Sequence, residues 1–167
     1  FTWIRSLILW NKSIIKNNNS VIIRDNWGVP HIYGKTDADA AFGLAYANAQ
    51  DDFLNIQHTV LKARGKYASV YGAGKNNINA IFDYMVGLLK IWEHVDNKYQ
   101  TDLSPETIKL CEAYAEGINY FIESNSDIID QHIYPVNGKD VIAGTLHKTP
   151  VFFQLPFFLN DLSNKKP

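Results

Sequence analysis

Several residue types that hydrolases use occur in this chain, but their spacing does not assemble a catalytic group. The histidines are dispersed, with no HExxH pair and no neighbouring cysteine, so the sequence does not predict a zinc site. Asp51 and Asp52 are adjacent, and adjacent side chains on a helix point in different directions, so they cannot form a paired-carboxylate site by themselves. A capping or solvated role is the better interpretation for one of the two. The five histidines are His31, His58, His94, His132 and His147.

None of the possible nucleophiles has the sequence context of an activated one. No serine lies in a GxSxG elbow, and each of the eight has a turn, cap or terminal context, although sequence distance alone leaves a Ser-His-Asp triad open. Cys111 lies in an apolar helical pattern and is interpreted as a small hydrophobic residue. Gly72–Lys75 reads GAGK but lacks the spacing of a phosphate-binding loop, so a plain turn is expected. Residue chemistry alone therefore predicts no catalytic residue, no metal ligand and no cofactor.

Composition places the chain among globular proteins and excludes several function classes. Hydrophobic residues make up 46% and charged residues 20% of the 167 positions, which is enough for one domain-sized core. The net charge of −1 and the scattered basic residues do not favour a nucleic-acid partner. No stretch approaches the roughly 20 apolar residues of a membrane span, and no secretory signal is visible. The single cysteine excludes an intrachain disulfide.

The N-terminal part has the pattern of a small β element. The turn-rich run KNNNS (Lys16–Ser20) separates two β-prone runs, LILWNKSII and SVIIRD, which predicts a hairpin or two adjacent strands. Pro30 bars a central ladder position and forces Val29 to be extended. A strand is expected to resume at Ile32 and to stop at Gly34.

A long amphipathic helix is predicted after these strands. Thr36 is expected to be its N-cap, with Asp39 three residues later in the capping-box position. The helix should run to about Arg64, where Gly65 provides a stop or bend. Its apolar face consists of Phe42, Tyr46, Ala49, Phe53, Ile56 and Val60.

Further helices complete the prediction. A loop over Val70–Asn77 is followed by a helix over Gly87–Tyr99, and the next helix begins at Ser104 as N-cap with Pro105 in its first position. Asp140 can cap a last helix. The chain is therefore predicted to be α+β, with a short N-terminal β element followed by four or five helices.

The most apolar stretch is VFFQLPFFL, Val151–Leu159. Pro150 should kink or break the preceding helix, and Pro156 interrupts the stretch itself. Two phenylalanine pairs on a broken backbone could line a pocket for an apolar ligand. For any single phenylalanine, however, an ordinary core position is the commoner outcome.

Three sequence blocks together resemble one family. The segment Arg24–Asp52, RDNWGVPHIYGKTDADAAFGLAYANAQDD, closely resembles the opening motif of the penicillin acylase family of N-terminal-nucleophile hydrolases. KARGKYASVYGAGK (Lys62–Lys75) is similar to the next block in acyl-homoserine-lactone and aculeacin acylases, and CEAYAEGINYFI (Cys111–Ile122) resembles a later block. The resemblance covers most of the chain from about Val21. Matching positions in the first block are Gly28, Val29, Pro30, His31, Ile32, Asp39, Ala40, Phe42, Gly43, Ala47, Ala49, Gln50 and Asp51.

This resemblance implies that the chain is the small α chain of an αββα heterodimer cut from one precursor. The nucleophile would then be the N-terminal Ser of a larger β chain, with its own α-amine as base and an oxyanion hole beside it. The motif from Arg24 to Asp51 would be scaffold, and these two residues are expected to be buried, paired or capping groups. The implied organisation is a single piece, 1–167, with an N-terminal extension over 1–20, a family-like region over 21–160 and a polar tail at a processing site over 161–167.

The family's α chain lends a helix near its C-terminus to the acyl pocket. By position this implies that Leu146, Thr149, Phe152 and Phe153 bind substrate. In the β-lactam branch an Arg-Phe pair lies about here, where this sequence has Thr149 and Pro150, and the acidic ligand of the structural calcium has no evident match. These departures weaken a β-lactam acylase interpretation, and the apolar segment LHKTPVFF fits an aliphatic acyl chain better. Acyl-homoserine lactones are therefore the first expected substrates and penicillins or cephalosporins the second.

The expected partners are the large β chain beginning with Ser and a small acylated amine, with no nucleic acid and no membrane span. The resemblance implies a periplasmic or secreted location, and the N-terminal Phe1 suits a processed product. The alternative is a non-catalytic helical module that docks an apolar partner through VFFQLPFFL. The two hypotheses differ on whether a second, larger chain is required.

Overall fold

The computed structural model describes residues 11–15, 19–127 and 132–153 of the chain. Strands come first and helices follow, with one 3-10 turn at Lys75–Asn77. The strands are β1 (Asn11–Ile15), β2 (Ser20–Arg24) and β3 (Pro30–Tyr33); the helices are α1 (Asp37–Ala63), α2 (Tyr67–Tyr71), α3 (Ile78–Leu88), α4 (Ile91–Lys98), α5 (Pro105–Ser124) and α6 (Gly138–Phe152).

The strands form one antiparallel sheet in the order β1-β2-β3, as expected for the short β element. Ile22 of β2 pairs with Ile32 of β3, and both lie on the face towards α1, where Ile22 is 1% exposed beside Phe42. Pro30 is the first residue of β3 and pairs with Arg24. Its position at the start of an outer strand is one that a residue without an N–H can occupy.

Helix α1 begins as predicted, with a reciprocal capping box between Thr36 and Asp39. It is not continuous, because Asp52 has non-helical φ and ψ of −155° and 65°. The Asp52 carboxylate accepts a hydrogen bond from the Asn55 N–H at 3.2 Å, so Asp52 caps the second half of the helix. The helix ends at Arg64 as expected, and Gly65 follows with φ of +62°.

Helices α1 and α5 form the centre of the fold. A Cβ at Gly117 would lie 2.3 Å from the Phe42 carbonyl oxygen and 2.8 Å from Ala45 Cβ, so the two backbones approach closely only because Gly117 has no side chain. The start of α5 is confirmed: Ser104 accepts a hydrogen bond from the Thr107 N–H, with Pro105 in the first turn. The buried core around this contact comprises Ala45, Val60, Leu61, Ala115, Ile118, Ile122, Ile133 and Val136.

The middle of the chain differs from the prediction. Val70–Asn77 was expected to be a loop, but Val70 lies within α2 and the segment ends in the 3-10 turn. Gly87–Tyr99 was expected to be one helix, but Lys90 adopts a left-handed conformation with φ of +52° and separates α3 from α4. The described residues therefore contain six α-helices, where four or five were expected.

Helix α6 also extends further than expected. Asp140 lies in its first turn, and the helix continues through Pro150 to Phe152. Of the kink or break expected at Pro150, the break is therefore wrong. The Phe153 N–H bonds to the Thr149 carbonyl oxygen at 3.0 Å beyond the proline. The rest of the apolar stretch, residues 154–159, the predicted tail 161–167 and most of the 1–20 extension lie outside the described residues. None of the described helices is both long and apolar enough to cross a membrane.

Candidate functional site

Arg64 fixes the segment that leads into α6. Its guanidinium forms two bonds of 2.7 Å to the Asp140 carboxylate, from Nε to Oδ1 and from Nη2 to Oδ2. The same group donates to the Ile133 carbonyl oxygen at 3.0 Å and to the Pro135 carbonyl oxygen at 2.8 Å. The Asp140 side chain is 1% exposed, so this pair is a buried connection between the end of α1 and the start of α6.

Two further groups define the start of α6. Asn137 and Asp140 form a reciprocal cap, since the Asn137 N–H donates to Asp140 Oδ2 at 2.9 Å and the Asp140 N–H donates to Asn137 Oδ1 at 3.2 Å. Asn119 of α5 bonds both backbone groups of Val136, at 2.7 Å and 2.8 Å. Asp140 does contribute to capping, as expected, but as the third helical residue with Asn137 at the N-cap.

Glu112 joins three helices beneath this connection. Its carboxylate accepts a hydrogen bond from the Tyr99 hydroxyl at 2.9 Å and another from the Gly138 N–H at 3.0 Å. Burial raises the pKa of Tyr99, and the hydrogen bond to the Glu112 carboxylate raises it further, so this phenol keeps its proton. A Cβ at Gly138 would collide with the Tyr99 hydroxyl and the Glu112 carboxylate, so a side chain at this position would displace their hydrogen bond.

Of the four residues expected to bind substrate, Leu146, Thr149 and Phe152 lie in the C-terminal half of α6, and Phe153 follows its last residue. Leu146, Thr149 and Phe153 recur at spacings of three and four residues and therefore share one face of the helix. Leu146 is 38% exposed, Phe152 81% and Phe153 69%, so this end presents large apolar side chains to the outside of the chain. The Phe152 and Phe153 rings meet edge to face with centroids 5.5 Å apart. Their role in substrate binding stays a prediction.

A surface groove of about 300 Å³ lies between α1, α5 and α6, and none of these four residues lines it. Its floor is apolar, and Thr145 and Lys148 border it on α6. The helix therefore has two different exposed sides, one facing this groove and one carrying Leu146 and Phe153. Other residues lining the groove are Ile56, Val60, Tyr114, Ile118 and Val141.

Arg24 and Asp51, from the opening motif, are used as scaffold. Arg24 Nη2 lies 2.7 Å from Asp51 Oδ1, and Arg24 Nη1 donates to the Gly28 carbonyl oxygen at 2.8 Å. This pairing joins the β2–β3 turn to α1 as expected. Burial of Asp51 is not observed, because its side chain is 52% exposed.

The remaining chemical candidates have structural roles. Burial, followed by the neighbouring Glu112 carboxylate, raises the pKa of the Cys111 thiol, which suits a small hydrophobic residue rather than a nucleophile. The GAGK segment is a turn, where Gly74 has φ of +75° and the Asn79 side chain donates to the Gly72 carbonyl oxygen at 2.9 Å. Within the described ranges, no group of three or more His, Cys, Asp or Glu side chains could hold a metal ion.

Sequence reasoning missed the roles of Glu112 and Asn119, although both lie in the CEAYAEGINYFI block. Their partners are distant in sequence, Gly138 by 26 residues and Val136 by 17. The sequence signal that could have revealed them is that Glu112 and Asn119 are polar residues in a helix whose neighbouring positions are small or apolar.

Comparison with known proteins agrees with this architecture. The penicillin amidase family model matches residues 19–150, which is more than half of the chain. Penicillin acylase 2 proenzyme of Pseudomonas sp. (strain SE83) is 33% identical over 105 residues, covering 63% of this chain and 13% of that protein. Acyl-homoserine lactone acylase PvdQ of Pseudomonas fluorescens (strain Pf0-1) is 27% identical over 132 residues, covering 76% and 17%. The chain thus spans less than a fifth of the length of these relatives.

A solved structure shares the fold. Thermostable penicillin G acylase from Alcaligenes faecalis superposes with a TM-score of 0.66 at 20% sequence identity, over 82% of this chain and 75% of that one. The family match, the resemblance of the three blocks and the shared fold agree with one another. The chain belongs to the penicillin amidase family.

Proposed function

We propose that this chain is the small α subunit of a self-processed acylase that hydrolyses the amide between an acyl chain and a small polar amine. The family match over residues 19–150 carries the proposal, because relatives named as acylases extend several times beyond the part that matches this chain. The geometry is consistent with a scaffold role. Arg24, Asp51, Arg64 and Asp140 are all engaged in ion pairs that join elements of the fold.

In the proposed reaction the nucleophile belongs to the large chain. The hydroxyl of its N-terminal Ser attacks the amide carbonyl carbon while its α-amine takes the hydroxyl proton. The amine product leaves with a proton, and water then releases the acyl group as a carboxylic acid. The α subunit contributes an apolar wall, for which the exposed end of α6 with Leu146, Thr149, Phe152 and Phe153 is the proposed segment.

Acyl-homoserine lactones are the first proposed substrates and penicillins or cephalosporins the second. Three of the four side chains at the end of α6 are large and apolar, which suits an aliphatic acyl chain. The relatives named above include both an acyl-homoserine lactone acylase and a penicillin acylase. A periplasmic or secreted location is part of the same proposal, and cell fractionation tests it.

The first test is intact-mass spectrometry with N-terminal sequencing of the protein expressed from its full-length gene. The expected result is a tightly bound second chain, several times larger and beginning with Ser. Release of free acid from acyl-homoserine lactones of graded length, compared with penicillins, then ranks the substrates. A 19.0 kDa species that purifies without a larger chain would instead favour the non-catalytic binding module.

A further inference from the structure

The β2–β3 turn presents a tryptophan that makes little contact with the rest of the fold. Trp27 is 91% exposed, although its indole is among the largest apolar side chains available to a protein. A lone exposed apolar residue is common. Trp27 differs because hydrogen bonds order the turn that holds it and because the adjoining strands carry further exposed apolar side chains.

Hydrogen bonds hold the turn rigidly. Asp25 Oδ1 accepts from the Trp27 N–H and from the Val29 N–H, each at 2.9 Å, and the Asp25 N–H donates to the Val29 carbonyl oxygen at 3.1 Å. Arg24 anchors the Gly28 carbonyl oxygen, and Gly28 has φ of +83°. Because the backbone is ordered in advance, a partner that binds the indole loses little loop entropy on association.

The outer face of the hairpin carries three apolar side chains, those of Val21, Ile23 and Tyr33, beside His31. Val21 pairs with Tyr33 and Ile23 with His31, so these side chains lie on the face opposite to Ile22. Tyr33 is 56% exposed. An antiparallel sheet with one solvated face normally carries polar residues on that face. Three apolar side chains there are typical of a face that packs against a second layer. We name this area the hairpin surface; it consists of Val21, Ile23, Trp27, Val29 and Tyr33.

We propose that the hairpin surface is a docking surface for the large catalytic chain of the same precursor, with Trp27 inserted into it as an anchor. This inference rests on the proposed function. The family match begins at residue 19, immediately before β2, so the surface belongs to the part shared with the acylases. In the relatives described above the matched part is only 13–17% of the polypeptide, and most of the remaining chain is therefore available to cover it. Tryptophan is enriched among the residues that dominate interface energetics.

Hydroxyl-radical footprinting of the processed two-chain protein tests the contact directly. Trp92 is an internal reference, since its indole N–H donates to the Ala63 carbonyl oxygen at 2.9 Å inside this chain. The expected result is that Trp27 oxidation falls to the level of Trp92 in the assembly and rises on urea unfolding. If both chains are present but Trp27 is oxidised equally in the native assembly and in the urea-unfolded protein, the docking surface is wrong and the proposed acylase stands.

Variants of the full-length precursor provide the second readout. Trp27→Ala should lower the urea concentration at which the two chains separate by about 1 M, whereas Trp27→Phe should retain most of the wild-type value. Tyr84→Ala, which removes an aromatic side chain that is 66% exposed on α3, is the matched control and should leave the midpoint unchanged. Equal midpoints for all three would contradict the proposal. Protection of Trp27 by a second copy of this chain would overturn the docking surface alone, whereas the absence of any large chain would overturn both the inference and the proposed function.

Discussion

Arg64 and Asp140 are 76 residues apart in sequence, yet their side chains meet in a two-point ion pair with both N–O distances at 2.7 Å. The Arg64 side chain is 18% exposed and that of Asp140 is 1% exposed. Because the guanidinium also binds the carbonyl oxygens of Ile133 and Pro135, one side chain fixes the whole approach to α6. The orientation of the proposed acyl-binding end therefore depends on Arg64.

Replacing Arg64 with methionine should lower the free energy of unfolding by about 3–5 kcal/mol, because a buried carboxylate loses its cation. Arg64→Lys should be destabilising to a lesser degree, since an ammonium keeps the charge but cannot reach all three acceptors. Urea titration of the assembled protein, followed by circular dichroism, measures the change.

The matched control is Lys90→Met. Lys90 pairs with Glu93 at 3.0 Å, but the two side chains are 63% and 57% exposed, so the loss should be no more than about 1 kcal/mol. Equal destabilisation by Arg64→Met and Lys90→Met would show that the Arg64 pair has no special structural role.

Two glycine substitutions should have opposite effects on stability. Gly117→Ala should destabilise by about 1–3 kcal/mol, because its Cβ would collide with the Phe42 backbone where α1 and α5 meet. Gly87→Ala has nothing within 4 Å of the new Cβ and should be neutral or stabilising by up to about 1 kcal/mol, through helix propensity. The unfolding temperatures of both variants measure these effects. A Gly117→Ala variant more stable than the wild type would contradict the close approach of α1 and α5.

Local signals explain which parts of the fold could be predicted. The caps at Thr36 and Ser104 were predicted correctly because capping depends on residues within three positions of each other. A capping role for Asp51 or Asp52 was expected and Asp52 has it, but the helix break that it caps was missed. The left-handed Lys90 was missed because lysine does not mark an interruption inside an apolar helical pattern. The extension of α6 past Pro150 was missed because the sequence rule treats proline as a break.

The candidate site was less accessible to sequence reasoning. Leu146, Thr149 and Phe153 were selected only by their position in the family, and the kink or break expected at Pro150 hid the helix face that they share. The contacts that orient this helix, from Arg64 and from Glu112, join residues 26 to 76 positions apart. Such long-range hydrogen bonds depend on the packing of α1 against α5 and leave no periodic pattern in the sequence.

Stability should depend on pH through His147 of α6. Burial lowers the pKa of His147 below its ordinary value of 6.5, and the nearby Lys62 and Lys148 lower it further, while Asp83 opposes them. Below about pH 6.5 the unfolded chain therefore binds a proton before the folded chain does, so stability falls as the pH drops from this value through the folded pKa. His147→Asn should reduce this fall when unfolding is measured at pH 7.5 and pH 5.

His94→Asn is the control for this pH dependence. His94 is exposed on α4, so its replacement should leave the difference between the two pH values close to that of the wild type. An identical pH dependence in the wild type and in His147→Asn would contradict the lowered pKa of His147 in the folded protein.

Substrate preference should depend on the exposed phenylalanine at the end of α6. In the proposed two-chain assembly, Phe153→Ala should reduce kcat/KM for long acyl chains by about 10- to 200-fold, because even one methylene in an apolar pocket is worth about 1–3 kcal/mol. Short acyl chains that do not reach this wall should lose much less. Leu88→Ala, which truncates a side chain that is 58% exposed on α3, should leave kcat/KM unchanged for both short and long acyl chains. Rates for a graded series of acyl-homoserine lactones measure the effect, and an equal loss for short and long chains would mean that Phe153 supports folding or assembly rather than acyl binding.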